Sequence, residues 1–92
     1  MQPLKGIRVL DFSTLLPGPL ATLLLAEAGA EVIKIERPGA GDEMRGYTPR
    51  FGADSVNFAL LNRGKRSIAI DLKAPGAVER LMPLLKSADV IV

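Results

Sequence analysis

An α/β fold with a parallel sheet built from βαβ units is predicted by three stretches of the sequence. Ile7, Val9, Leu10 and Phe12 form a short apolar run of strand length, and Pro17-Gly18-Pro19 interrupts it. A helical pattern then runs from about Pro19 to Ala28 and is stopped by Gly29. Val32, Ile33 and Ile35 form a second strand that closes on Glu36-Arg37. Strand, helix and strand in that order make a parallel crossover unit. Such units bind ligands outside the carboxyl ends of their strands, so the 13–19 turn and Glu36-Arg37 are expected on one rim.

Ninety-two residues allow one small domain, with a low buried fraction. Nearly half the residues are apolar, which excludes a disordered chain. A net charge of +2 gives no argument for nucleic acid as a partner. Cysteine and histidine are both absent, which removes disulfides, thiolate sites and the commonest metal ligand and acid–base group. No metal site is expected. The N-terminus lacks the apolar core of a signal peptide, and the stretch Leu15 to Ala26 is too short and interrupted to span a membrane. A cytoplasmic location with no membrane partner is the expectation.

In chain order, Leu4 is expected to cover one end of the core and Gly6 to start the first strand. Asp11 ends that strand and reads as a structural hydrogen-bond acceptor rather than a catalytic acid. Ser13 and Thr14 suit backbone capping in the turn. Pro19 suits the first helical position, where its missing N–H has no partner to lose. Gly18 permits another group to approach the backbone closely. The helix is apolar nearly all round, with Thr22 and Glu27 the exceptions, which predicts burial on more than one side. So short a chain has little to cover both, so a further segment or a subunit is expected there.

The turn leading into a helix N-terminus suits an anion, but neither the dinucleotide glycine fingerprint nor the P-loop pattern is met. Glu36 has two readings, a ribose ligand or a strand-end ion-pair partner. Arg37 should stand on the ligand rim, again with an exposed ion pair as the alternative. Residues 38–54, rich in glycine and proline, read as a long irregular loop. Its Arg45, Tyr47, Arg50 and Phe51 either cover a substrate or pack against other protein.

Ser55 is placed as the N-cap of a short helix, Val56 to Leu61. The basic turn Arg63-Gly64-Lys65-Arg66 reads as solvated. Ile68, Ile70 and Leu72 alternate with Ala69 and Asp71 and predict the third strand. Pro75 opens a third helix whose buried face is Val78, Leu81, Met82 and Leu85, with Pro83 bending or ending it. Residues 88–92 begin a fourth strand. A bare apolar strand at the end of the chain leads us to expect the N-terminal piece of a longer protein.

Several of these pieces together resemble one family. "GIRVLDFS…PGPLA…LLAEAGAEVIKIERPGAGD", "LNRGKRSIAIDLK" and "ADVIV" occur in the order and near the spacing found at the start of family III CoA-transferases. This CaiB/BaiF group includes formyl-CoA transferases, carnitine CoA-transferases and α-methylacyl-CoA racemase. The resemblance covers essentially the whole chain. It implies a Rossmann-like sheet, with residues 1–92 as the N-terminal portion of the large, CoA-binding domain. It implies an interlocked homodimer for the full-length protein.

By the same resemblance Leu15 and Leu16 touch coenzyme A, and Arg37 holds its nucleotide phosphates. Ala69, Ile70, Asp71, Leu72 and Lys73 line the adenine and ribose region. The NAD reading of Glu36 is displaced. The implied reaction moves CoA between an acyl-CoA and a free carboxylic acid through an aspartyl-CoA intermediate. The nucleophilic Asp lies beyond residue 92, so no catalytic residue is assigned, and the 92 residues alone are expected to be inactive. The Leu16-Pro17-Gly18-Pro19 wording also suits the racemase branch, which is the alternative chemistry. A non-catalytic CoA-binding or partner-subunit piece is the alternative of another class.

Overall fold

The computed structural model describes residues 2–92. The first crossover unit is β1 (Arg8–Asp11), α1 (Pro17–Glu27) and β2 (Glu31–Glu36). A 3-10 turn at Glu43–Gly46 and a small hairpin, β3 (Arg50–Phe51) with β4 (Asp54–Ser55), lead into α2 (Val56–Asn62). β5 (Arg66–Ala69), α3 (Ala77–Ser87) and β6 (Val90–Ile91) follow. The main sheet has the order β5-β2-β1-β6, and every neighbouring pair is parallel. This is the order of a doubly wound sheet, in which the chain winds outward from β1 and then crosses to its other side.

Side-chain alternation along the strands sorts the core into two layers. Leu10, Ile33 and Ile35 face α3 and pack with Leu81, joined by Phe12, Ile70, Leu84 and Leu85. Val9, Ala30 and Val32 face the other way and pack with Leu25 and Ala26 of α1, closed at one end by Leu4 and Ile7. α2 lies against α1 on that second face. Leu4 thus covers the core end as expected.

Several boundaries differ from the sequence reading. α1 begins two residues early, at Pro17. Either proline suits a first turn, since the N–H it lacks has no intrahelical partner there. The third strand ends at Ala69 instead of continuing to Leu72. Glu36 ends the neighbouring strand, and after Ile70 donates to its carbonyl no partner strand remains to extend the ladder.

α3 starts at Ala77 after Gly76, whose φ of 77° a side chain would strain. Its buried residues are Ala77 and Leu81, with Leu84 and Leu85 half-buried, while Val78 and Met82 are exposed. The packed face is therefore rotated from the one expected. Pro83 does not end the helix, which runs on to Ser87 with the proline on its exposed side. The loop at 38–54 is not structureless, since the 3-10 turn and the hairpin occupy much of it. Ser55 caps α2 as expected, its hydroxyl accepting from the Phe58 amide at 3.3 Å.

Candidate functional site

The carboxyl ends of β1, β2 and β5 border a cavity of about 410 Å³. Phe12, Ile35 and Ile70 form its apolar floor, as outer members of the layer that faces α3. Glu36, Arg37, Asp71, Leu72 and Lys73 stand around it, and Thr14 and Gly41–Glu43 complete the wall. The strand-end geometry expected from the crossover unit is therefore present.

The structure brings Arg37, Ile70, Asp71, Leu72 and Lys73 to one cavity. Leu15, Leu16 and Ala69 are not among its lining residues. Ala69 is the exposed last residue of β5. Leu15 is half-buried and Leu16 exposed on the turn that carries Thr14, just before α1. The Arg37 Nε donates to the Gly41 carbonyl at 2.9 Å, which fixes the side chain near its root. Among the described residues Arg37 has no carboxylate partner, so its guanidinium is free to take an anion. Asp71 accepts from the Lys73 amide at 3.0 Å, which folds 71–73 into a tight turn at the cavity mouth.

The other face of the same strand ends carries a buried polar network. Asp11, Lys34 and Glu36 all alternate onto the α1 side. The Asp11 carboxylate accepts from the Ser13 amide at 2.8 Å, from the Ser13 hydroxyl and from Thr22 Oγ1 at 2.5 Å. Its expected structural role is what the structure shows. Lys65 Nζ lies 3.5 Å from Asp11 and donates to the Pro19 carbonyl and Asn62 Oδ1 at 2.9 and 2.8 Å. Burial pulls Lys65 below its usual range, against the opposing pull of Asp11. The basic turn is thus not wholly solvated, because the Lys65 side chain is 2% exposed.

Lys34 is the largest fully buried side chain. Its Nζ pairs with Asp42 Oδ2 at 2.8 Å and donates to the Ser13 carbonyl at 3.0 Å. Asp42 also accepts from the amides of Leu15 and Met44. Burial pulls the Asp42 carboxyl upward, but Lys34 and these amides outweigh it and hold the group below the ordinary Asp value. Glu36 accepts from the Asp42 amide at 2.8 Å, from Arg45 at 2.7 and 2.6 Å and from the Ser67 hydroxyl. Burial opposes its ionisation, yet these donors bring its pKa from 4.5 down to about 2. Glu36 is therefore in an ion pair, but a buried one and not the exposed strand-end pair expected, and its partner Arg45 is held by it while stacking 4.0 Å from the centre of the Phe58 ring.

Lys34, Asp42 and Lys65 were not singled out by the sequence reading. The alternation Val32-Ile33-Lys34-Ile35-Glu36 inside a strand carried a signal for Lys34, since it puts a lysine on a face that must be covered. Nothing local marked Asp42 as its partner. Among the described residues no helix is long and apolar enough to cross a membrane.

Residues 4–92 match the family model described as CoA-transferase family III. The chain is 47% identical over 93 residues to succinyl-CoA:glutarate CoA-transferase of Mus musculus, covering 100% of this chain and 21% of that one. It is 51% identical over 90 residues to formyl-CoA:oxalate CoA-transferase of Afipia carboxidovorans, covering 97% and 21%. Among solved structures, a CAIB/BAIF family protein from Brucella suis superposes with a TM-score of 0.88 at 35% identity, covering 98% of this chain and 25% of that one. A Mycobacterium tuberculosis protein gives 0.87 at 42% identity, covering 99% and 24%. The chain spans about a fifth of the length of the curated relatives it matches.

Proposed function

Because this chain belongs to CoA-transferase family III, we propose that it supplies part of the coenzyme A site of an enzyme that moves CoA from an acyl-CoA to a free carboxylic acid. The observation that carries this reading is the cavity that gathers Arg37, Asp71, Leu72 and Lys73 over an apolar floor. A nucleotide needs a fork of fixed positive charge for its phosphates and an apolar wall for its base, and Arg37 beside the Phe12, Ile35 and Ile70 floor supports that reading. Leu15, Leu16 and Ala69 border the same strand ends and are assigned to the outer course of the ligand. The relatives named above are transferases, which favours transfer over racemisation.

The proposed chemistry uses an Asp beyond residue 92. Its carboxylate attacks the acyl-CoA carbonyl and expels the CoA thiolate, leaving a mixed anhydride. The thiolate then attacks the aspartyl carbonyl, releasing the first acid and forming aspartyl-CoA. The acceptor carboxylate displaces CoA again, and the thiolate returns to the acceptor's acyl carbon, freeing the Asp. No oxidant, reductant or metal enters this balance. The 92 residues contribute binding and not bond making, and an interlocked homodimer is the proposed assembly of the full-length protein.

The test is calorimetric titration of the full-length protein with CoA, alongside Arg37→Ala. Loss of the fork is expected to weaken CoA binding about tenfold or more, with little change for a pantetheine thioester that lacks the nucleotide phosphates. Equal losses for both ligands would remove Arg37 from the phosphate position. α-Proton exchange in deuterated water without any CoA transfer would replace transfer by racemisation.

A further inference from the structure

Lys34 and Asp42 are buried, paired with each other and far more elaborately held than a core position needs. The Lys34 side chain is 1% exposed and that of Asp42 0%. Neither strand pairing nor the apolar core requires a charge there. Lys34 itself is absent from the cavity lining. Its ammonium instead joins the two backbone segments that flank the cavity. One is the 13–16 turn, reached through the Ser13 carbonyl at 3.0 Å. The other is the 37–46 segment, reached through Asp42 at 2.8 Å.

Leu15 sits between these segments with a φ of 66°, a left-handed conformation that a leucine adopts only under constraint. Its amide lies 3.2 Å from Asp42 Oδ1, so the same carboxylate that pairs with Lys34 holds the strained residue. Such strain persists where the surroundings over-determine it, and it clusters at ligand-binding positions. From Asp42 the network continues through its amide to Glu36 and on to Arg45. Thr14 on the turn and Arg37, Gly41, Asp42 and Glu43 on the segment all line the cavity, Asp42 with its side chain turned inward at 0% exposure.

We propose that the Lys34–Asp42 pair is a positioning pair for the ligand, a buried clasp that sets the distance between the 13–16 turn and the Arg37 segment. Its loss lets the two walls of the cavity drift, and affinity falls although Lys34 lies outside the cavity lining and the Asp42 side chain is wholly buried behind the wall to which that residue belongs. This rests on the CoA reading for the identity of the ligand, but not for the geometry of the clasp.

The experiment compares three variants of the full-length protein by CoA titration and thermal melting. Lys34→Met leaves Asp42 buried and unpaired and is expected to lower both affinity and melting temperature. Lys34→Met/Asp42→Asn removes the charge but keeps an acceptor for the Leu15 and Met44 amides. It is expected to recover most of the lost melting temperature while still binding CoA about tenfold more weakly than the wild type. A double variant that recovers stability and also binds CoA with wild-type affinity would overturn the proposal, because a merely structural pair restores both together.

If the double variant does not fold, Asp42→Asn decides. Binding weakened about threefold or more supports the clasp, and unchanged binding overturns it. If the wild type itself does not bind CoA, the reading of the ligand has failed and the clasp is judged by hydrogen exchange. Faster exchange of the Leu15 amide in Asp42→Asn supports it, and an unchanged rate refutes it.

Discussion

Gly18 illustrates how tightly single residues are specified around the turn. A Cβ at this position would stand 2.2 Å from the Ser13 Cβ and 2.3 Å from its Oγ. The Ser13 hydroxyl and amide are both committed to Asp11, so the serine has little freedom to move aside. Gly18→Ala is therefore expected to destabilise the protein by about 1–3 kcal/mol, read as a lower denaturant midpoint. An unchanged midpoint would mean that the turn opens at negligible cost. Close approach at Gly18 was legible in Pro17-Gly18-Pro19, whereas the approaching residue was not.

Glu36 carries a pH dependence of definite sign. Its folded pKa of about 2 lies below the ordinary 4.5, so the stabilisation is fully present above the unfolded value and is lost as pH falls from there through about 2. With the 40% exposure of its Arg45 partner discounted for screening, the contribution is on the order of 2 kcal/mol. Wild type and Glu36→Gln should differ by about this much at neutral pH and converge in acid, as measured by unfolding at a series of pH values. A constant difference down to acid pH would assign the effect to packing.

Among the elements, α3 shows a competition that packing wins. Pro83 is the seventh residue of an eleven-residue helix, where it deletes one backbone hydrogen bond. The helix continues because Leu81, Leu84 and Leu85 anchor both sides of the proline to the sheet. Since Pro83 is exposed, Pro83→Ala restores the bond to the Glu79 carbonyl without disturbing the core. A gain of about 1–3 kcal/mol is expected, seen as a raised melting temperature. A fall would show that the proline bend is needed for docking. The i, i+3, i+4 pattern announces a helix here, but two apolar stripes compete around it, and docking on Leu10, Ile33 and Ile35 buries the one containing Ala77 and Leu81.

α1 presents the same issue on a larger surface. Leu23 is buried and Leu25 packs on the sheet, while Leu16, Leu20 and Leu24 stand 53%, 43% and 59% exposed. An all-round apolar helix was readable from its composition; which side meets the sheet was decided by register. β5 is the complementary case, because its apolar alternation runs on to Leu72 but the ladder ends where β2 ends.

For the molecule as a whole, Leu20 and Leu24 of α1, Val78 and Met82 of α3, and Val90 and Ile91 of β6 leave apolar side chains exposed on both faces and at one edge of the sheet. Adjacent exposed leucines such as Leu20 and Leu24 on one helix, and an apolar edge strand, favour contact with other protein. The 92 residues prepared alone are therefore expected to self-associate and to show no CoA transfer, as followed by sedimentation velocity and a transfer assay. A monodisperse monomer would show that this surface is tolerated in water.

The sequence by itself determined the parallel α/β class, the order of the main-sheet strands and the three α-helices, and the rim on which the 13–19 turn and Glu36-Arg37 meet. These follow from periodicity, punctuation by proline and glycine, and the rule that ligands lie beyond the carboxyl ends of parallel strands. Tertiary structure alone decided the buried charges. Lys34 and Asp42 are eight positions apart, and Asp11 and Lys65 are 54 apart, so no local pattern in the sequence joins either pair. A charge tolerates burial only when its counter-charge and remaining hydrogen-bond partners converge on it. That convergence exists only after the sheet, α1 and the 38–46 segment have assembled.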